Sequence, residues 1–439
     1  MFFRNRKLPS IEAGHYKNTA QSPTEVMPVP EVVSISMSEN IGAPCKVLVK
    51  KGDRVLVGQK IGDAEAFLSV PVHSSVSGSV TAIETMRNAM GGTDTYVTIE
   101  TDGKQEVAEG IKAPVIDDQP GFIKAMRESG LVGLGGAAFP TWVKLNPKNL
   151  IDIDTFIVNG AECEPFITSD HRTMLEDADN VIDGMLAVMK WLIAEDGYIA
   201  IEDNKQDAID NFNRLLKERG ISKIKVFPMP ARYPKGAERV LIQEITGKKC
   251  DAGVLPAALG VIVMNITSTA FVGQYLKDGM PLIKKRITVD GDAVRNSKNV
   301  LAPIGARIKD IMEFCGGYAE EPVKILMGGP MMGRAVYSDR MPLIKNNNAI
   351  LAFSKAQAWI PEESACINCG RCHEGCPFHL IPTAYADAYE ARDIKRLKEL
   401  QVMQCMECGS CSFVCPAHRP LAFINKLSKA LVKEAGDNV

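Results

Sequence analysis

The sequence predicts a multidomain α/β and α+β chain of four units, and three observations predict it. Residues 1 to about 115 carry strand and turn signals with little helix, residues 116–275 alternate helical and buried-strand patterns, and eight of the twelve cysteines fall within fifty residues near the end. A length of 439 residues suits two to four domains of about 100–200 residues each. Lys and Arg number 51 against 53 Asp and Glu, a formal charge of −2, which argues against a nucleic-acid partner and against electrostatic clamping to anionic lipid. The start, MFFRNRKLPSIEAGHYKNTAQ, has no apolar run after its basic residues, so no signal peptide is expected and the thiols should be reduced, as in the cytoplasm. The longest apolar stretch, roughly residues 253–266, is broken by Pro256 and two glycines and is too short to span a membrane.

The first unit, 1–115, reads as a small β barrel or sandwich, with Gly-Asp and Ser-Gly turn signals every eight to ten residues. Its phrases KKGDRVLVGQKIG and VPVHSSVSGSV resemble the barrel-sandwich hybrid of biotinyl and lipoyl carriers. Such carriers present a modified Lys at a hairpin tip. The corresponding stretch here, AEAFLSV, has none, which predicts a structural or docking role.

The second unit, 116–275, reads as αβαβαβ, so a parallel, Rossmann-like sheet with covering helices follows. One helix is predicted from about Arg172 to Glu195, with Met174, Met185 and Met189 on its apolar face as core. The third, 276–355, contains a compact β-grasp pattern with a short helix over Ile304 to Phe314, then KILMGGPMMGRAV and AILAF. In the fourth, 356–439, the cysteines sit among helices, and the last helix is amphipathic with a solvated basic face.

The run Cys366-x2-Cys369-x2-Cys372-x3-Cys376-Pro377 recurs as Cys405-x2-Cys408-x2-Cys411-x3-Cys415-Pro416. Three thiolates two residues apart wrap one face of a cubane, and the fourth serves the other cluster. Two [4Fe–4S] clusters follow, one on Cys366, Cys369, Cys372 and Cys415, the other on Cys405, Cys408, Cys411 and Cys376. Zinc ribbons also use paired C-x2-C, but a doubled four-cysteine run with this spacing favours iron. Cys45, Cys163, Cys250 and Cys315 are scattered and read as buried free thiols.

The other signal is Gly130-Leu-Val-Gly133-Leu-Gly135-Gly136-Ala-Ala-Phe139-Pro-Thr-Trp-Val-Lys144. Glycines let backbone approach a ring or phosphate, and the Lys supplies a cation. The run matches neither the P-loop nor the strict dinucleotide fingerprint. An apolar strand at 155–158 then runs into Asn159-Gly-Ala-Glu162-Cys-Glu164-Pro, placing polar groups at the carboxyl end of a parallel strand, where such sheets bind ligands. Acids there suit a ribityl chain, a ribose or an amide.

These two motifs resemble the flavin- and NADH-binding subunit of respiratory complex I, with its G-x-G-G-A-G-F-P-T-x-x-K and N-A-D-E-x-E-P. Nearly the whole chain, with AGHYKNT, IGAPCKVLVKKGD, NGAECEPFITSDHR, GGPMMGR and the paired cysteine runs, resembles the RnfC family of the Rnf electron-transport complex. That family couples ferredoxin oxidation to NAD⁺ reduction and ion pumping. The resemblance implies that Gly133, Gly135, Lys144, Asn159 and Glu162 line non-covalent FMN and that Phe139 and Glu164 meet NADH. Tyr233-Pro-Lys-Gly236-Ala-Glu238 resembles Y-x-x-G-E-E, which implies Tyr233 and Gly236 near FMN and Glu238 near the nicotinamide nucleotide; Asn265 would face the flavin phosphate. Ala138, Ala161 and Ala237 depart from the complex I pattern, so hydrogen bonds to the flavin differ in detail.

The β-grasp segment resembles the soluble-ligand-binding β-grasp (SLBB) fold of the same complex I subunit and reads as scaffold. The resemblance further implies two [4Fe–4S] clusters, NAD(H) as substrate, other Rnf subunits as partners with ferredoxin reached through them, and a peripheral place on the cytoplasmic side of the bacterial cell membrane. No residue is given a catalytic role. A cobalamin-reductase-like flavoprotein shares the motifs but begins at the Gly-rich segment and puts its cysteines before the β-grasp unit. A non-catalytic relay would not need Lys144, Glu162 and Glu164.

Overall fold

The computed structural model describes residues 8–89 and 91–436. Strand β1 (Thr24–Val26) is followed by β2 (Val32–Ser36), β3 (Lys46–Val47), β4 (Arg54–Val55), β5 (Lys60–Asp63), β6 (Val72–His73), β7 (Gly78–Arg87) and β8 (Thr93–Thr101). β2 to β8 make two antiparallel sheets, ordered β2-β8-β7-β4 and β3-β5-β6. Alternate residues face inward: Val33, Ile35, Val97 and Ile99 from one sheet meet Ile61 and Val72 from the other. The carrier-like tip docks on the Gly-rich run. Trp142 Nε1 donates to the Ser69 carbonyl at 2.8 Å, Phe67 meets the Trp142 ring edge-on at 5.4 Å, and the Ile41 amide donates to Ala138 at 3.0 Å.

The parallel unit holds α1 (Gln119–Glu128), α2 (Thr141–Lys144), β9 (Thr155–Gly160), α3 (Ser169–Glu176), α4 (Ala178–Leu192), β10 (Asp196–Glu202), α5 (Gln206–Glu218), β11 (Ile224–Met229), α6 (Glu238–Thr246), β12 (Val261–Asn265) and α7 (Ile266–Asp278). Its sheet runs β11-β10-β9-β12, every pair parallel. Phe156 and Val158 face a core with Val181, Met185 and Met189, so those methionines are packing residues. Ile157 faces the opposite layer with Leu241 and Ile242. The single helix expected over 172–195 is two, because Asp177, with φ −122° and ψ 23°, leaves helical geometry between α3 and α4.

The third unit adds β13 (Lys284–Asp290), β14 (Lys298–Pro303), α8 (Ile308–Phe314), β15 (Lys324–Met327), β16 (Arg334–Ala335) and β17 (Ala349–Phe353). These strands form a mixed sheet ordered β1-β14-β13-β17-β15-β16, so β1 leaves the N-terminal module and pairs in parallel with β14. The helix starts at Ile308, later than the predicted Ile304, because Gly305 turns the chain at φ +92°. The last unit is helical: α9 (Arg371–Glu374), α10 (Pro382–Glu390), α11 (Ile394–Glu399), α12 (Ser410–Phe413) and α13 (Leu421–Glu434), packed on Tyr385, Leu397, Val402 and Val432. Among the described residues no helix is long and apolar enough to cross a membrane.

Candidate flavin and iron–sulfur site

The carboxyl ends of β9 and β12 gather most residues singled out in the Gly-rich and acidic motifs. Gly133 N–H donates to the Phe139 carbonyl at 2.9 Å, closing the Gly-rich run into a loop. At Gly135 a Cβ would lie 2.9 Å from Nδ2 of Asn265, so only a bare backbone fits over that amide. Asn265 caps α7, accepting from Ser268 N–H at 3.2 Å, and donates to Asp170 at 2.7 Å. Asn159 Nδ2 donates to the Gly236 carbonyl at 2.9 Å, and a Cβ at Gly236 would lie 2.7 Å from the Ala161 carbonyl. Lys144, from α2, bonds Glu238 at 2.8 Å and the Val263 carbonyl at 2.9 Å. This donor set fits FMN: a glycine edge for close approach, an ammonium and the N-terminus of α7 for an anion, and two amides for hydroxyl or ring atoms.

The two acids of the β9 turn face elsewhere. Glu162 is buried with its carboxylate on the start of α3, accepting from Asp170 N–H at 2.7 Å, with Ser169 Oγ and His171 N–H each at 3.4 Å. Burial pushes its pKa up to about 7 against the pull of Lys17. Glu164 turns to the loop after β15, accepting from Met331 N–H at 3.0 Å and Met332 N–H at 2.8 Å; burial raises its pKa to about 7 as well. A cavity at the carboxyl ends of β10 and β11 is lined by Cys163, Glu202, Arg232 and Tyr233, and residues Glu12 to His15 form its other wall.

The eight cysteines of the two runs divide between two cavities. Cys376, Cys405, Cys408 and Cys411 line one, and Cys366, Cys369, Cys372 and Cys415 line the other, the crossing that the 2-2-3 spacing predicts. Among the described residues no three metal-binding side chains close on one point as a single ion needs, whereas a cubane takes its thiolates on four separate irons. The runs repeat in backbone as well as sequence. Asn368 and Glu407 have φ +53° and +59°, Gly370 and Gly409 +77° and +83°, and His379 and His418 both +52°. Both repeats turn a backbone amide onto the first sulfur, Asn368 to Cys366 and Glu407 to Cys405 at 3.4 Å each.

The quartets have different surroundings. Arg239, on α6, donates to the Gln404 carbonyl at 2.9 Å and stacks 4.1 Å over Phe378, and Tyr233 donates to the Cys408 carbonyl at 2.6 Å. Cys376, Cys405, Cys408 and Cys411 therefore abut the parallel unit. The other quartet is open: Cys369 is exposed, and Ile367 and Ile381 on its rim are 66% and 45% exposed. Lys17, Asp170, Met331 and Arg239 carry much of this arrangement, and none was singled out from sequence. Lys17, Asp170 and Met331 lie in the AGHYKNT, NGAECEPFITSDHR and GGPMMGR runs, whose family resemblance was the signal for them.

Each unit matches a family model in chain order: an RnfC barrel sandwich hybrid domain over 10–104, a Nuo51 FMN-binding domain over 126–274, an SLBB domain over 286–335 and a 4Fe-4S dicluster domain over 358–416. The C subunit of the proton-translocating ferredoxin:NAD(+) oxidoreductase complex of Clostridium ljungdahlii is 41% identical over 373 residues, which cover 84% of this chain and 80% of that protein. This chain belongs to the RnfC family. The C subunit of the Na(+)-translocating ferredoxin:NAD(+) oxidoreductase complex of Acetobacterium woodii is also 41% identical, covering 86% of this chain and 85% of its own length. The C subunit of the ion-translocating oxidoreductase complex of Rhodobacter capsulatus is 37% identical over 87% of this chain and 74% of its own. As an RnfC protein, the chain is an electron-transfer subunit with FMN and two [4Fe–4S] clusters as cofactors and other Rnf subunits as partners. The barrel module at the front and the cysteines at the end separate it from cobalamin-reductase-like flavoproteins.

Proposed function

We propose that this chain is the nicotinamide-facing subunit of a ferredoxin:NAD⁺ oxidoreductase complex, held at the cytoplasmic face of the membrane by protein partners that carry out ion translocation. The observation that carries the reading is the segment from Tyr233 to Arg239, whose Tyr233 and Arg239 donate to the carbonyls of Cys408 and Gln404 beside the Cys376, Cys405, Cys408 and Cys411 quartet while its Gly236 and Glu238 take hydrogen bonds from Asn159 and Lys144. Bound there, FMN supplies the interchange between a hydride, which NAD(H) exchanges as two electrons and a proton, and the single electrons that clusters carry.

The chain's own residues fix the geometry. Gly133, Gly135 and Gly236 keep backbone bare for the flavin, Lys144 offers a cation, and Asn159 and Asn265 offer donors. Tyr233 stands between the flavin side and the nearer quartet, its hydroxyl on Cys408. Glu162 holds α3 to the end of β9 from behind. Phe139 and Glu238 line the nucleotide side, and Glu164 fixes the Met331–Met332 loop against it. The quartet of Cys366, Cys369, Cys372 and Cys415, with its exposed apolar rim, is the face turned to the electron-donating Rnf subunit.

The test is anaerobic reduction of the reconstituted full chain by NADH, followed by visible and electron paramagnetic resonance spectra. Bleaching of the flavin band with cluster signals appearing supports the reading. Bleaching with silent clusters refutes the internal connection, and clusters without any flavin would make the chain a relay.

A further inference from the structure

The two cysteine runs are near copies in spacing and backbone, and each turns the same amide onto its first sulfur. Reduction potentials of such clusters follow net charge, hydrogen bonds and solvent exposure around the ligands. Two clusters in matching local frames therefore differ through what surrounds them. One difference reaches a ligand peptide itself. Tyr233 Oη donates to the Cys408 carbonyl at 2.6 Å, whereas Cys369, which holds the same place in the first run, is exposed and receives no side-chain hydroxyl among the described residues.

Tyr233 is built to hold that bond. It is 2% exposed and packs with Ile11, Ala13, Cys163, Met331 and Val414. Its main chain is clamped on both sides by Ile11, whose N–H donates to the Tyr233 carbonyl at 2.7 Å and whose carbonyl accepts from Tyr233 N–H at 3.0 Å. A buried phenol must find an acceptor, and the Cys408 carbonyl is the one it has. Beside it, a Cβ at Gly409 would lie 3.0 Å from the Met331 carbonyl, so the peptide after Cys408 is pressed from two directions.

We propose that Tyr233 is a positioning residue for the cluster held by Cys376, Cys405, Cys408 and Cys411, and that its hydrogen bond to the Cys408 carbonyl raises that cluster's reduction potential relative to its twin. The physical sense is simple. The O–H draws the negative end of the Cys408 peptide dipole away from the cluster, which favours the reduced, more negative state. The inference rests on the electron-transfer reading, and it gives that reading a direction-setting element at the flavin side of the chain.

The experiment is a redox titration of the full chain, reconstituted with iron and sulfide and followed by electron paramagnetic resonance, for wild type and Tyr233→Phe. One cluster's midpoint is expected to move to more negative potential, with the other cluster and the iron content unchanged. Equal shifts in both clusters, or none, would overturn the proposal. Should the Phe variant fail to assemble, difluorotyrosine at position 233, a stronger donor of nearly the same shape, must move the same midpoint to more positive potential; an unmoved midpoint there also overturns it. The titration needs no flavin, so a chain with two clusters and no flavin would defeat the function proposed above and leave this test decisive.

Discussion

Nζ of Lys17 donates to the carbonyl of Glu162 at 2.7 Å. The same ammonium reaches the carbonyls of Glu164 at 2.8 Å and Ile167 at 2.6 Å, so one side chain of the N-terminal segment holds the whole turn after β9. Hydrogen bonds to a charged group contribute about 1.5–3 kcal/mol each, and carbonyls left bare cost a similar amount. Lys17→Met should therefore lower the temperature at which flavin fluorescence is released by several degrees, with Lys17→Arg in between. An unchanged release temperature would show that the turn holds itself.

The crossing of the cysteine runs is directly separable. Cys415 lines the cavity of Cys366, Cys369 and Cys372, and Cys376 lines that of the second run. Cys415→Ser and Cys366→Ser should abolish one resonance signal, and Cys376→Ser and Cys405→Ser the other. If Cys415→Ser and Cys405→Ser remove the same signal, the runs are not crossed.

Asn425, on α13, points Nδ2 at the sulfurs of Cys405 and Cys411, 3.5 and 3.9 Å away, while its buried Oδ1 has no partner among the described residues. Asn425→Leu removes two weak N–H···S contacts together with an unsatisfied oxygen. The midpoint of that cluster should fall while thermal stability stays within about 1 kcal/mol. A large loss of stability with no shift in midpoint would reverse the assignment.

Glu164 gives a pH signature. Burial raises its pKa from 4.5 to about 7 even though two amides favour its charge. Between those values the folded chain keeps a proton that the unfolded chain has lost, so this carboxyl makes stability fall as pH rises through the window and leaves a constant cost above it. The stability of Glu164→Gln relative to wild type should thus climb from about pH 4.5 to 7 in denaturant titrations. A difference that is flat with pH would mean the carboxyl titrates normally.

The domain order, the parallel sheet and the doubled cysteine run were legible in sequence because each rests on a local period: turn signals every eight to ten residues in the first unit, helix and strand in turn from 116 to 275, and the 2-2-3 spacing. The polar end of the strand at 155–158 was legible locally, whereas Gly236 was legible only through a family pattern, since nothing local marks it as the partner of Asn159. Features set by long-range contact were invisible. The residues around Glu162 suggest a ligand-facing acid, yet the amides of α3, eight and more residues on, claim its carboxylate. Asp177 looks helical by its neighbours, yet its backbone leaves helical geometry and its carboxylate pairs with Arg286 of β13, a long-range contact. Tyr233 carries no sign that its hydroxyl ends on Cys408.

The pairing of β1 with β14 sets a timetable for biogenesis. On the ribosome the N-terminal module can close on itself early, but Thr24 has to wait for Asn299 and Ile11 for Tyr233 before either finds its partner. At roughly 5–20 residues per second that wait lasts tens of seconds, during which the leading segment hangs unseated beside an open sheet edge. Seating it is a late event, and the turn after β9 that Lys17 braces becomes rigid only afterwards. Flavin loading of the nascent chain should then trail synthesis of the third unit, however early the parallel sheet has formed.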